Sequence, residues 1–86
     1  MHSLAAPRDA SGRTFAQYVA DQIADALYRD GRSINQAADA IGMNHMTLRR
    51  SLDGGRVFNL NDVADIAHAL GVDPADLMNA EGFEPV

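Results

Sequence analysis

The sequence of 86 residues contains no cysteine, no lysine and no long run of apolar residues. Without cysteine, the chain can form neither disulfides nor thiolate metal sites, and a reducing cytoplasm is the expected compartment. No apolar stretch approaches the ~20 residues that a membrane helix needs, and the N-terminus lacks the apolar segment of a signal peptide. We therefore expect a small cytoplasmic domain without membrane association.

Residue patterns typical of enzymes are also missing. The three histidines do not have the spacing of metal ligands, and neither of the common glycine-rich phosphate-binding motifs occurs. Acids such as Asp21, Asp25 and Asp62 are predicted on solvent faces of helices, with no base, nucleophile or pocket to act with. The sequence predicts a protein that is not an enzyme and has no catalytic residue, metal or cofactor.

What the sequence does contain is a pattern for two short helices joined by a tight turn, over residues 33–52, SINQAADAIGMNHMTLRRSL. Ser33 and Gln36 form a capping-box pattern that begins the first helix, and Gly42 follows its last apolar position. Asn44 then caps the second helix. Helix, glycine turn and helix is the arrangement that lays the second helix across the DNA major groove. This stretch therefore predicts a DNA-binding module.

Similar capping and stop signals predict three more helices, from Thr14 to Gly31, from Asn59 to Gly71 and from Asp73 to Met78. No alternating strand pattern, repeat or interdomain linker is present. The predicted fold is all-α, a compact bundle of about five short helices over residues 14–78. Residues 1–13 are predicted to be a disordered N-terminal arm and residues 79–86 a short, frayed acidic tail.

The apolar positions also predict which helix faces are buried. Helical periodicity predicts a buried stripe on the first helix and another on the fourth. The predicted buried residues are Phe15, Val19, Ile23, Ala26 and Leu27 on the first helix, and Leu60, Val63, Ile66, Ala67 and Leu70 on the fourth.

Residues 14–78 resemble the lambda-repressor-like, Cro-type helix-turn-helix family, also called the XRE family. The matching positions are Ser33, Ala38, Ile41, Gly42, Thr47, Leu48, Arg50, Gly54, Val63, Ile66, Ala67, Leu70, Gly71, Val72, Asp76, Leu77 and Met78. The resemblance implies a bundle of about five short helices. It also implies a transcription regulator, such as a repressor or a small phage Cro-like protein, that binds double-stranded operator DNA as a homodimer, with a palindromic site as the expected target.

The outward face of the third predicted helix carries the candidate base contacts. With Leu48 and Leu52 expected to be buried, a step of ~100° per residue turns four side chains outward, namely His45, Met46, Arg49 and Arg50. The resemblance implies base-edge contacts for His45, Met46 and Arg50. Arginine in such a position commonly donates two hydrogen bonds to guanine. Arg49 could contact either a base or a phosphate.

Candidate phosphate contacts lie around the same helix. The resemblance places Asn44, at the cap, near a phosphate, and Arg56 in the following loop is a further candidate. Many family members have a phosphate-binding glutamine where this sequence has Ile34. That contact is then either absent or supplied by a neighbour such as Asn35 or Arg32.

A second departure from the family pattern supports the alignment. The family often pairs an arginine late in the first helix with a glutamate late in the third, and here these positions are Leu27 and Leu52. Replacing a buried ion pair by apolar residues is often neutral or stabilising. We therefore expect the two leucines to be buried in contact, joining the first helix to the third.

The charge distribution leaves a second function open. The net charge of −5 is unusual for a DNA-binding protein, although residues 32–56 carry four arginines against two aspartates. The alternative is a protein-interaction module on the same scaffold, such as an antitoxin or antirepressor, with weak or no DNA binding. Its candidate partner surface is apolar and consists of Val57, Phe58, Phe83 and Val86.

Overall fold

Five α-helices follow one another along residues 6–86, the part of the chain that the computed structural model describes. They are α1 (Phe15–Asp30), α2 (Ile34–Ile41), α3 (His45–Leu52), α4 (Leu60–Leu70) and α5 (Pro74–Leu77), followed by a 3-10 turn at Ala80–Gly82. Extended pairing in this part of the chain is limited to two isolated β-bridges. None of its helices has both the length and the apolar character needed to cross a bilayer. The predicted all-α bundle of five helices is confirmed.

Side-chain caps determine where the helices begin. The predicted capping boxes of α1, α2 and α4 are all present, with Thr14, Ser33 and Asn59 as the capping residues. In each box the capping side chain accepts a hydrogen bond from the backbone N–H three residues on. The side chain of that third residue accepts one from the capping residue's own N–H. These reciprocal bonds satisfy donors that a helix start otherwise leaves unpaired.

The core is formed where the helices cross. α1 packs against α3 and α5, α2 against α3 and α4, and α4 against α5. Ile23, Leu48 and Ile66 are fully enclosed at the centre, and each contributes ~1.5–3 kcal/mol through its removal from water. Because Leu48 belongs to α3, its burial determines which side of α3 faces the solvent.

Two of the predicted core positions are wrong, and the burial of Tyr18 was not predicted. Leu60 is 75% exposed because it is the first residue of α4, one turn before the stripe that begins at Val63. Phe15 remains partly exposed at the end of the bundle, where its ring stacks on Tyr18. Tyr18 itself is buried, and its hydroxyl donates a hydrogen bond to the carbonyl oxygen of Asn79.

The segments before α1 and after α5 pack on each other. Asp9 is 8% exposed, and its carboxylate accepts hydrogen bonds from Ser11 and Arg13. The N–H of Val86 donates to the carbonyl of Arg8, and Phe83 packs edge-on against Phe15 at 5.5 Å between ring centroids. These contacts link residues 8–13 to the tail, residues 1–5 lie outside the described part, and the disorder expected for residues 1–13 and the fraying expected for residues 79–86 stay predictions.

Candidate nucleic-acid interface

The turn between α2 and α3 sets the direction in which α3 leaves the bundle. Gly42 has φ 82°, in the left-handed region that favours glycine. Its N–H and that of Met43 both donate to the carbonyl of Ala38 at 2.9 Å, which ends α2. Asn44 then accepts hydrogen bonds from the N–H groups of Met46 and Thr47 and begins α3. Two helices joined by this three-residue turn form a helix-turn-helix.

The face of α3 away from the core carries two arginines and a methionine. Leu48 and Ser51 point inward and are fully enclosed. Arg49 and Arg50 are exposed, and Met46 is 68% exposed. Neither arginine forms an ion pair with any of residues 6–86. This face therefore presents two uncompensated positive charges beside an exposed apolar side chain.

The backbone of Gly55, in the loop that follows α3, lies close to the side-chain stem of Arg50. The N–H of Gly55 donates to the carbonyl of Arg50 at 2.9 Å. A Cβ atom at position 55 would lie only 3.1 Å from Cγ of Arg50, closer than most side-chain contacts. The sequence motif did not reveal this role for Gly55, because it depends on the path of the loop back past the end of α3.

His45, the first residue of α3, is paired with α2. Its Nε2 lies 2.8 Å from Oδ1 of Asp39, and both side chains remain substantially exposed. Asp39 was not among the residues predicted for the site. Its pairing with His45 depends on the path of the turn between α2 and α3, which helical periodicity alone does not predict. His45 is thus the first residue of α3, and one of its ring nitrogens, Nε2, is already hydrogen-bonded to Asp39.

The residues predicted to contact phosphates have different surroundings. The side-chain oxygen of Asn44 is used by the α3 cap, and Asn35 is exposed on α2. Arg32 lies before α2 and forms an ion pair with Asp30, with 3.1 Å between its Nε and a carboxylate oxygen. Ile34 packs against the core. Arg32, Asn35 and Asn44 lie close to α2 or the turn, and their phosphate contacts remain predictions.

Arg56 is engaged within the protein more fully than the other candidates. Its Nη1 donates to Ser51 Oγ at 2.9 Å, and its Nη2 lies 3.0 Å from Oδ2 of Asp62. The positive charge of Arg56 is thus compensated by a nearby carboxylate, which reduces what it can contribute to binding a phosphate. Its main role in the structure is to connect the loop to α4.

Comparison with known proteins agrees with this geometry. The protein-family model described as a helix-turn-helix domain matches residues 3–80, which include all five α-helices. The chain belongs to the helix-turn-helix domain family. Curated proteins and solved structures give no significant match. Membership of the family makes DNA the expected partner of this domain.

The helix-turn-helix domain has an apolar pocket between α1, α2 and the end of α3. Leu27 is buried and Leu52 half-buried, and both line a pocket of about 270 Å³ together with Tyr28 and Ile34. Leu52 packs against the buried cluster to which Leu27 belongs. The two leucines thus line the same pocket at the α1–α3 boundary, although the full burial expected for Leu52 is not reached, and their direct contact stays a prediction.

Proposed function

We propose that the protein is a sequence-specific DNA-binding transcription regulator, acting as a repressor in the cytoplasm, that inserts α3 into the major groove. The observation that carries this proposal is the pair of exposed arginines on α3, Arg49 and Arg50, which form no ion pair with any of residues 6–86 and lie beside the exposed Met46. Acidic residues elsewhere on the chain weaken non-specific attraction to DNA. Acidic groups that lie more than about 8 Å from a protein–DNA contact have little effect on it, because salt at physiological concentration screens their charge.

Each outward side chain of α3 matches a feature of the major groove. Arg50 can donate two hydrogen bonds to O6 and N7 of guanine, and Met46 can pack against a thymine methyl group. Arg49 lies beside them and can reach a base or a phosphate. Around this face, the proposed phosphate contacts are Arg32, Asn35, Asn44 and Arg56.

A homodimer on a palindromic operator is part of the proposal. One recognition helix of eight residues reads few base pairs, so two copies are needed for useful selectivity. The half-site centres are then about 34 Å apart, one helical turn of DNA. The resemblance to the Cro-type family supports this arrangement and suggests a small phage switch protein as one setting.

Selection of bound sequences from a random DNA pool tests the proposed function directly. The parent is expected to enrich a palindromic motif, whereas the double variant Arg49→Ala/Arg50→Ala enriches none. Arg29→Ala is the matched control, since Arg29 is an exposed arginine on α1. Mass measurement of the complex in solution gives the stoichiometry, and one monomer on an asymmetric site would contradict the dimer.

A protein-interaction module, in the manner of an antitoxin or antirepressor, is the second candidate function. Val57 and Leu60 are both largely exposed beside the loop after α3, and this supports the second candidate. Phe58 and Phe83, by contrast, pack against the core and are less available to a partner. A folded parent that enriches no DNA motif would favour the second function.

A further inference from the structure

The ring of His45 is held at one end by a carboxylate. Its Nε2 lies 2.8 Å from Oδ1 of Asp39, across the turn that joins α2 to α3. A carboxylate can only accept hydrogen bonds, so Nε2 must carry the hydrogen atom of this contact. In a neutral imidazole the other nitrogen, Nδ1, is then unprotonated and can only accept. The contact therefore selects one tautomer of the ring.

This selection matters because of where His45 lies. It is the first residue of α3, and the N-terminal residues of a recognition helix are those that contact base edges. Nδ1 is the ring nitrogen left over once Nε2 is bound to Asp39. An unprotonated nitrogen at this place needs a hydrogen-bond donor on the base. In the major groove, donors are the amino groups of adenine and cytosine, whereas guanine presents acceptors.

We propose that Asp39 is a specificity-determining residue, which acts through His45 by fixing its tautomer so that Nδ1 accepts a hydrogen bond from adenine or cytosine. This inference rests on the proposed function, since it assumes that α3 reads bases. Asp39 is a positioning residue and makes no base contact of its own. The hydrogen bond from the imidazole N–H also offsets part of the electrostatic cost of placing the negative Asp39 side chain near DNA.

The test uses Asp39→Asn, which keeps the size of the side chain but can donate as well as accept. Asparagine can donate to Nε2 and so allows the tautomer with hydrogen on Nδ1, which is a donor toward guanine or thymine. Asp65→Asn on the exposed face of α4 is the control, because it changes the net charge equally. Asp39 is itself exposed, so both variants are expected to fold.

The first measurement is the nitrogen NMR spectrum of the histidine rings in the free protein at pH 8, where ordinary imidazoles are neutral. His45→Gln assigns the signals. The parent and Asp65→Asn are expected to show His45 with hydrogen on Nε2 alone, and Asp39→Asn a mixture of tautomers. An identical tautomer ratio in the parent and Asp39→Asn would overturn the proposal without any reference to DNA.

The second measurement is selection from the random DNA pool at the same pH. The parent should prefer adenine or cytosine at one position of each half-site, and Asp39→Asn should lose about 2- to 10-fold of that preference, the range of one net hydrogen bond. Preferences elsewhere in the motif should persist. An unchanged motif in Asp39→Asn overturns the specificity role alone, while a parent that enriches no motif overturns the proposed function and the specificity role with it.

Discussion

Nη2 of Arg56 lies 3.0 Å from Oδ2 of Asp62, and these side chains are only 30% and 13% exposed. The same carboxylate oxygen accepts the N–H of Asn59 in the capping box of α4. Arg56 also donates to the hydroxyl of Ser51, a fully enclosed residue of α3. These contacts of Arg56 therefore tie the end of α3 to the start of α4.

Replacing Arg56 by alanine should lower the free energy of unfolding by about 1–3 kcal/mol, because a buried hydroxyl and a shielded carboxylate lose their partner. Urea unfolding measures the change. Arg29→Ala is the control, since the Arg29–Asp25 pair is exposed and should contribute less than about 1 kcal/mol. An Arg56→Ala variant as stable as the parent but weaker on all DNA sequences would instead support the phosphate contact.

The two inward leucines of α3 should differ in their contribution to stability. Leu48 is fully enclosed, so Leu48→Ala should cost about 2–5 kcal/mol. Leu52 lines an open pocket and is only half-buried, so Leu52→Ala should cost about 2 kcal/mol or less, at the low end of the range for buried leucines. Urea unfolding of both variants checks the order. A larger loss for Leu52→Ala would mean that the α1–α3 boundary is closed in solution.

Helix positions could be predicted because their signals are local. A cap such as Ser33 with Gln36 involves residues three apart, and the structure contains that capping box. Contacts between residues far apart in the sequence have no such local signal. Phe83 packs against Tyr18 and Phe15 although more than sixty residues separate them, and periodicity within one helix cannot reveal that contact. The contacts between the two terminal segments were not predicted for the same reason.

The side of α3 that faces the solvent could also be predicted. Which of the site's side chains are paired with an acid could not. Burial of Leu48 fixes the helix orientation, and the helical period then turns Met46 and Arg50 outward. Whether a charge is compensated depends on neighbours brought close by folding. Arg56 meets Asp62, and His45 meets Asp39, only because of the paths of two loops.

Asp9 should make stability depend on pH in acid. Its hydrogen bond with Ser11 is the main cause that lowers the pKa of Asp9 from 3.8 to about 2, opposed by burial and reinforced by Arg13. A pKa that is lower in the folded state stabilises the protein above the unfolded value, and this stability is lost as the pH falls through the folded value. The contribution is therefore complete above pH ~5 and disappears between about 4 and 2.

Comparing thermal unfolding of the parent and Asp9→Asn from pH 7 to pH 2 tests this dependence. The midpoint of the variant should be lower at neutral pH, and the difference should narrow below about pH 4. Asp65→Asn serves as the control for the loss of one negative charge. If the difference in unfolding midpoint between the parent and Asp9→Asn stays constant from pH 7 to pH 2, folding does not selectively stabilise the ionised Asp9 carboxylate.

Arg50 provides the prediction that separates sequence readout from general attraction to DNA. Arg50→Ala removes a guanidinium that no acid compensates in the described chain. It should weaken binding to the selected site by about 1–3 kcal/mol and relax the preference at one or two base pairs. Binding titrations on selected and scrambled DNA, at several salt concentrations, measure both effects.

The salt series shows which kind of contact Arg50 makes. Loss of a base contact lowers affinity for the selected site more than for scrambled DNA. Loss of a phosphate contact lowers both about equally and reduces the salt slope by roughly one unit. Arg29→Ala, on α1, should leave both affinities close to those of the parent. If Arg50→Ala also binds both DNAs as the parent does, the outer face of α3 is not the DNA surface, and the protein-partner function becomes the better account.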